Sequence, residues 1–398
     1  MQINSTILFL EINKFEYIFS VGEYTESNKF KLLHTIKILN NDIRENQIID
    51  YDLMYNILKK NIFYVEQKFN IVLKDVILII DNFNCNLINF SGFKKLNGSQ
   101  LSKENITYIL NSLKTKINEI EDQKTILHIF NSKYMLDKKK TENLPIGLFG
   151  NFYSQELSFF LISNYDYKNI NYVFEKCNLR IKKIISKSFI DGVYLINSNL
   201  NLDTFFKIEI NEEKSKIIYF ENSALRYIQN FEFGSNIVIQ DISKIIGLKK
   251  DIIKNILSNS IFSKDSLEEE YVDEKLIDKL NSRKIKKKLI FDIANARIEE
   301  MSDLILLKNI NIISFLRKKN PIFLRICDES TFFPIQKSFE NYFSKNSELE
   351  LKILKNKIFE SYLEDVIKLV QFGWKKEAVP IIQEKKSIIT RFFEVIFK

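Results

Sequence analysis

The chain has 398 residues, 45% hydrophobic and 28% charged, with 59 basic against 51 acidic side chains and a net charge of +8. This excludes a disordered chain and predicts two or more domains rather than one core. The three cysteines, Cys85, Cys177 and Cys327, have no paired spacing, so buried thiols are expected rather than a disulfide framework or a zinc site.

The opening MQINSTILFLEINKFEY has no basic n-region and carries Glu11, unlike a signal peptide. ILFLEI (7–12) and YIFSVGE (17–23) predict a hairpin. FNIVLKDVILIID (69–81) predicts two buried strands. SKENITYILNSLKTKINEI (102–120) predicts a helix capped by Ser102, with Ile106, Ile109, Leu110, Leu113, Ile117 and Ile120 on its inner face. Strands TILHIF (125–130) and ELSFFLIS (156–163) follow, then a helix over 168–179. FFKIEI (205–210) and KIIYFEN (216–222) repeat the hairpin pattern of the start, which suggests a duplicated architecture. Residues 241–300 read as helical and charged; strand PIFLRI (321–326) and two further helices complete the body. The alternation predicts an α/β fold.

The two histidines, His34 and His128, form no Ser/His/Asp arrangement, and His128 lies within a strand pattern that suits a structural role. The nine glycines are dispersed, with no two adjacent, so no Gly-rich phosphate cradle is present. The run Arg283-Lys284-Ile285-Lys286-Lys287-Lys288 lacks interleaved aromatic residues and reads as a solvated helix face, not a nucleic-acid site. No apolar run approaches the ~18 residues that cross a bilayer.

The chain ends on KKSIITRFFEVIFK (385–398). On a helix Ile388, Ile389, Phe392, Phe393, Ile396 and Phe397 make one apolar stripe. Lys385, Lys386, Arg391 and Lys398 against Glu394 leave three net positive charges. Such a stripe docks either on the chain's own core or on a membrane surface, where anionic lipids would add ~1 kcal/mol per basic residue.

Several stretches in order resemble FtsA, the actin-like bacterial cell-division family. They are FLEINKFEYIFSVGE (9–23), KTILHIFNSKYMLD with NLPIGLFG (124–150), SFFLIS with NINYVFEKCNLRIKKII (158–185), SALRYIQNFEFGSNIVIQDISKIIGL (223–248), ANARIEE (294–300) and the terminal stripe. The resemblance implies an actin/Hsp70-like ATPase fold: two similar α/β domains around a cleft, with an FtsA-type inserted subdomain. It would place the first domain at 1–82 and 165–199, and the inserted subdomain at 83–164. The second domain would fall at 200–240 and 306–374, a capping subdomain at 241–305, and a linker with membrane-targeting helix at 375–398. The linker itself would run from Lys375 to Lys386.

The family binds ATP and Mg on two hairpin loops that need Asp, Gly and Thr. Here the first pattern, Asp/Glu-Ile-Gly-Thr, reads Glu11-Ile12-Asn13-Lys14. The second, Asp-Ile-Gly-Gly-Gly-Thr-x-Asp, reads Glu209-Ile210-Asn211-Glu212-Glu213-Lys214-Ser215-Lys216. The adenosine-side Gly-Gly turn reads Arg325-Ile326-Cys327-Asp328-Glu329. A carboxylate ~4 Å from a phosphate charge costs on the order of 4 kcal/mol at an effective dielectric near 20. Lys14 and Lys214 would offset part of this, and Glu11 and Glu209 could still hold a cation. The expectation is a pseudo-ATPase with no catalytic residues, no dedicated metal site and no assured cofactor.

The resemblance further implies that Arg283, Arg297 and Glu300 contact the acidic, apolar C-terminal peptide of the tubulin-like protein FtsZ. It implies self-association into filaments on the cytoplasmic side of the inner membrane at the division site, and recruitment of later division proteins. The alternatives are an actin-like scaffold of pilus assembly, which lacks the terminal helix, and an ATP-dependent actin-like chaperone or kinase, which needs the missing Gly-rich loops.

Overall fold

The computed structural model describes residues 6–13, 15–24, 30–44, 47–81, 83, 85–259, 270–272, 284–316, 320–326, 329–344, 350–354 and 359–378. The chain divides into two units, one formed by residues 1–190 with 360–398 and the other by residues 191–359.

The first unit begins with β1 (Ile7–Ile12), β2 (Glu16–Tyr24) and β3 (Phe30–Leu39), paired antiparallel in turn. A two-residue ladder, β4 (Ile43–Arg44) and β5 (Gln47–Ile48), leads to α1 (Tyr51–Phe69). The Asp50 side chain accepts from Leu53 N at the start of α1, and Asn70 closes it in a left-handed conformation. The helix buries Met54, Leu58, Ile62 and Val65, one stripe at helical spacing. β6 (Asp75–Ile80) then runs parallel to β1. The 69–81 stretch therefore holds one strand, not two, because α1 continues to Phe69 and its left-handed cap takes the residues expected to extend.

The chain next builds a separate four-stranded sheet from β7 (Cys85–Lys95), β8 (Lys124–Leu136), β9 (Lys139–Thr141) and β10 (Phe152–Ser163), in the order β7-β10-β8-β9. The helix α2 (Lys103–Ile120) lies between β7 and β8 in sequence. Ser102 and Asn105 form a capping box at its start. Ile109 and Ile117 are buried as expected, but Ile120 at the last position is 62% exposed, beyond the reach of the sheet. α3 (Asn164–Lys176) and β11 (Arg180–Ser186) return the chain to the first sheet, whose order is β11-β6-β1-β2-β3. α3 starts four residues earlier than the sequence pattern predicts, with Ser163 as its cap.

After α4 (Lys187–Ser198) the second unit repeats this plan. β12 (Phe205–Ile210), β13 (Ser215–Glu221) and β14 (Ala224–Phe231) pair antiparallel. The helices α5 (Asn236–Ile246), α6 (Lys250–Asn259) and α7 (Lys287–Ser302) come next, the last continuing into a π-helical turn at Asp303–Leu307. β15 (Pro321–Ile326), α8 (Glu329–Ser344) and β16 (Glu350–Ile353) complete a sheet of order β14-β13-β12-β15-β16. Both five-stranded sheets thus place their first strand centrally, with an antiparallel hairpin on one side and two parallel strands on the other. The duplication suggested by the hairpin patterns extends to the whole sheet order.

α9 (Phe359–Phe372) belongs to the first unit, where Leu32 N donates to the Glu360 side chain. Among the described residues no helix is long and apolar enough to cross a membrane. Cys85 and Cys177 are half-buried rather than buried, and Cys327 lies outside the described residues.

Candidate functional site

In an open α/β sheet the carboxyl ends of the parallel strands form the natural binding edge. In the first unit Ile12, Ile80 and Ser186 lie level across β1, β6 and β11. Residues just past those ends therefore converge. Lys187 Nζ donates to Glu11 Oε1 at 2.5 Å and lies 3.4 Å from Asp81 Oδ2. Glu11 is buried. Two carboxylates and one ammonium leave a net charge of −1, with the lysine between the carboxylates.

The β1–β2 loop also uses its own donors. Asn13 Oδ1 accepts from Phe15 N at 2.9 Å and from Glu16 N at 3.0 Å. Asn13 N donates to Glu16 O, and Asn40 Nδ2 donates to Asn13 O. Asparagine side chains close turns on their own backbone in this way. The amides that a phosphate would recruit are already engaged by the residue standing in the glycine position.

The second unit has the same arrangement with different residues. Lys207 and Glu209 share one face of β12, two residues apart. Lys207 Nζ donates to Glu209 Oε1 at 2.6 Å and to the Asp191 carboxylate on α4. The Lys207 side chain is only 1% exposed. Burial pulls its pKa down, but the two carboxylates outweigh burial and hold it above the usual lysine value. Arg325 on β15 lies 3.8 Å from Glu209, level with it across the sheet. The four charges sum to zero. Buried ions persist only when compensated this fully.

The β12–β13 loop is a tight turn in which Asn211 N donates to Lys214 O. Ser235 N and Asn236 N, at the start of α5, donate to Asn211 O and Glu212 O, both at 2.9 Å. Gly234 permits this approach, since a Cβ there would stand 2.2 Å from Asn211 O. The amino end of α5 is therefore satisfied by the loop's carbonyls. Ser215 Oγ donates to Phe233 O. Lys214 pairs with exposed Glu232 at 2.8 Å, so it does not offset Glu209 as expected; buried Lys207 does.

These residues do not fit a magnesium nucleotide. The carboxylates expected to hold a cation are bound to lysines, and the amides of Asn13, Phe15, Glu16, Asn211, Ser235 and Asn236 donate within the chain. On the adenosine side, Arg325 and Ile326 still belong to β15 and α8 begins at Glu329, while Cys327 and Asp328 lie outside the described residues.

The expected partner site is partly described. Arg297 on α7 donates to Asp241 on α5 and to Glu300, one turn along its own helix. Both are ion pairs within the capping region, so its guanidinium already has two carboxylates. Lys14, Arg283 and the terminal residues Lys385, Lys386, Ile388, Ile389, Arg391, Phe392, Phe393, Ile396 and Phe397 lie outside the described residues.

The sequence did not single out Lys187, Asp81, Asp191 or Lys207. Lys207 had a signal: a lysine at an inward position of the apolar strand FFKIEI, two residues from a glutamate. Nor did it foresee how the chain continues beyond α9. Asn131 N donates to Lys376 O, Ala378 N donates to Ile129 O, and Glu377 pairs with Phe130 as an extra strand position on β8. His128 Nδ1 lies 2.6 Å from Glu377 Oε1, and Lys183 Nζ reaches its other oxygen at 3.1 Å. Ser186 N donates to His128 Nε2 at 3.3 Å. His128 is thus a structural residue, buried against the Glu377 carboxylate that Lys183 also reaches. The start of the expected linker is fixed to the body as far as Ala378.

No protein-family model matches the chain. It is 22% identical over 242 residues to the cell division protein FtsA of Buchnera aphidicola subsp. Baizongia pistaciae (strain Bp). That match covers 61% of this chain and 57% of the relative, so the likeness spans little more than half the relative's length. Among solved structures, a chain of the PilM-PilN type IV pilus biogenesis complex aligns with TM-score 0.54 and 9% identity, covering 94% of this chain and 98% of that one. MreB 5 of Spiroplasma citri bound to AMPPNP aligns at TM-score 0.45 and 12% identity, over 92% and 96% of the two chains. By sequence the chain is FtsA-like, and its fold is the actin-like ATPase fold.

Proposed function

We propose that this FtsA-like chain is a peripheral membrane adaptor of bacterial cell division that works without nucleotide turnover. The observation that carries the non-catalytic reading is the pair of internal lysines, Lys187 on Glu11 and Lys207 on Glu209, at the two loops where an actin-like enzyme would hold its metal nucleotide. In this reading the duplicated sheets are kept as a scaffold. The terminal stripe from Ile388 to Phe397 binds the cytoplasmic face of the inner membrane, and the capping region carries FtsZ filaments through their C-terminal peptide.

Physical chemistry supports the membrane part. Six large apolar side chains contribute up to roughly 1.5–3 kcal/mol each when fully buried, and less at an interface. Ordering a short helix consumes part of that, so one tail binds reversibly and an assembly of tails binds by avidity. The fold likeness to the pilus complex does not favour that alternative, since a fold shared at 9% identity carries no partner with it.

Co-sedimentation with liposomes tests the proposal. Full-length protein is expected to pellet with anionic liposomes and to carry FtsZ down with it. A chain ending at Lys386 should leave both in the supernatant. Equal sedimentation of the two chains would refute the tail assignment, and FtsZ left behind by membrane-bound full-length protein would refute the adaptor role.

A further inference from the structure

A second surface with binding chemistry lies on the outer side of the first unit, between α1 and the end of α3. A recess of about 670 Å³ is lined by Tyr55, Lys59, Lys60, Phe63, Glu66 and Lys176, among others. Its construction follows from the helices beneath it. Met54, Leu58 and Ile62 of α1, with Ile170, Val173 and Phe174 of α3, point into the core, so the next residues along each helix face outward and toward each other. Tyr51 Oη donates to Asp166 Oδ1 and ties the two helices near their amino ends.

The recess is basic. Lys59, Lys60 and Lys176 are exposed, and the Asp52 carboxylate acts on Lys176 by its charge. Lys59 and Lys176 rest on rings. The Tyr55 ring has Lys59 Nζ at 5.5 Å and Lys176 Nζ at 5.7 Å from its centroid, and Lys176 also lies 4.7 Å over Tyr172. Hydrogen bonding to Tyr172 holds Lys176 above the usual lysine pKa. Glu66, whose Oε1 accepts from Leu73 N at 2.8 Å, carries one negative charge against the three lysines, so the lining stays net positive. Phe63 is 59% exposed beside the lysines.

We infer that this recess binds an acidic peptide segment of a partner protein, with carboxylates against Lys59, Lys60 and Lys176 and an apolar side chain against Phe63 and Tyr55. Charge complementarity names the sign of the occupant, and exposed rings beside the ammonium groups name its mixed acidic and apolar character. Shape favours a peptide over a bilayer. The recess is concave, and two of its three lysines, Lys59 and Lys176, lie against tyrosine rings rather than projecting outward toward a flat surface. This site lies in a different unit from Arg297 and does not depend on the terminal helix, so it goes beyond the adaptor reading.

The test uses full-length protein and a fluorescein-labelled decapeptide that alternates glutamate with phenylalanine. Fluorescence anisotropy is expected to show saturable binding that weakens with added salt. The Lys59→Glu/Lys60→Glu variant should lose at least about tenfold in affinity, since two reversed charges face each carboxylate. Phe63→Ala alters an exposed ring, leaves the fold intact and should also weaken binding several-fold. A lysine–phenylalanine peptide should not bind. No binding by the parent protein, or equal affinity in both variants, overturns the inference. So does a charge-reversal variant that keeps peptide affinity but loses sedimentation with phosphatidylglycerol vesicles, which would assign the surface to the membrane.

Discussion

Replacing Lys207 by methionine removes the ammonium that Asp191 and Glu209 share inside the second unit. The side chains of all three are nearly inaccessible, with 1% exposure for Lys207 and Asp191 and 9% for Glu209. Methionine keeps the length and apolar stem, so the loss is electrostatic rather than a cavity. Breaking a buried pair from one side costs about 3–5 kcal/mol, because uncompensated charge stays behind. For a unit of this size about 1 kcal/mol shifts the midpoint by about 2–4 °C, so a fall of about 6–20 °C is expected in its thermal transition. The pH dependence identifies the cause. The folded-state pKa of Lys207 is raised. Its contribution is therefore fully present below the unfolded lysine value near ~10.4 and is lost only as pH rises through the folded value. The parent protein should show no loss from this group between about pH 5 and 9. The variant's deficit should shrink toward about pH 4, as Asp191 and Glu209 become protonated. Adding Asp191→Asn and Glu209→Gln should restore most of the midpoint. Calorimetry across pH reads all of this. A midpoint within about 2 °C of the parent at neutral pH, or a deficit equal at both pH values, would refute the reasoning.

Three further outcomes are expected from contacts of the same kind. Asn13→Gly removes the acceptor of Phe15 N and Glu16 N. It should cost about 1–3 kcal/mol by denaturant unfolding and should not create ATP binding, because Lys187 remains on Glu11. Gly234→Ala places a Cβ 2.2 Å from Asn211 O and 2.6 Å from Glu212 O. Backbone must move, so a loss of about 1–3 kcal/mol is expected, with faster hydrogen exchange at Ser235 and Asn236. Glu377→Gln weakens the contact to His128 and Lys183. Although burial works against it, these partners hold the Glu377 carboxyl below its usual pKa. The stability it supplies is therefore present above the unfolded value of about 4.5 and fades as pH falls through the lower folded value. The variant should expose the Asn131 and Ala378 amides to exchange at neutral pH, and the difference from the parent should narrow in acid.

Distance along the chain decides which features the sequence could specify. Hairpins such as ILFLEI with YIFSVGE are local, and their apolar alternation carries them. The resemblance then supplied the duplicated plan that the two sheet orders display. FNIVL looked like a strand because apolar runs of that length do not distinguish a helix end from a buried strand. Asn70 in the left-handed conformation settles it only once the backbone is placed. The altered loop residues Asn13 and Asn211 were visible at once. Their consequence was not, because the lysine that meets Glu11 lies 176 residues away, and the glutamate that meets His128 lies 249 residues away. Lys207 announced its Glu209 partner locally, through the two-residue period of a strand.

The central claim is that internal lysines and loop side chains have taken the place of a magnesium nucleotide. Isothermal titration of Mg-ATP into full-length protein tests it most directly. The account expects no saturable heat, with any affinity weaker than about 1 mM. A micromolar dissociation constant with one-to-one stoichiometry would contradict it.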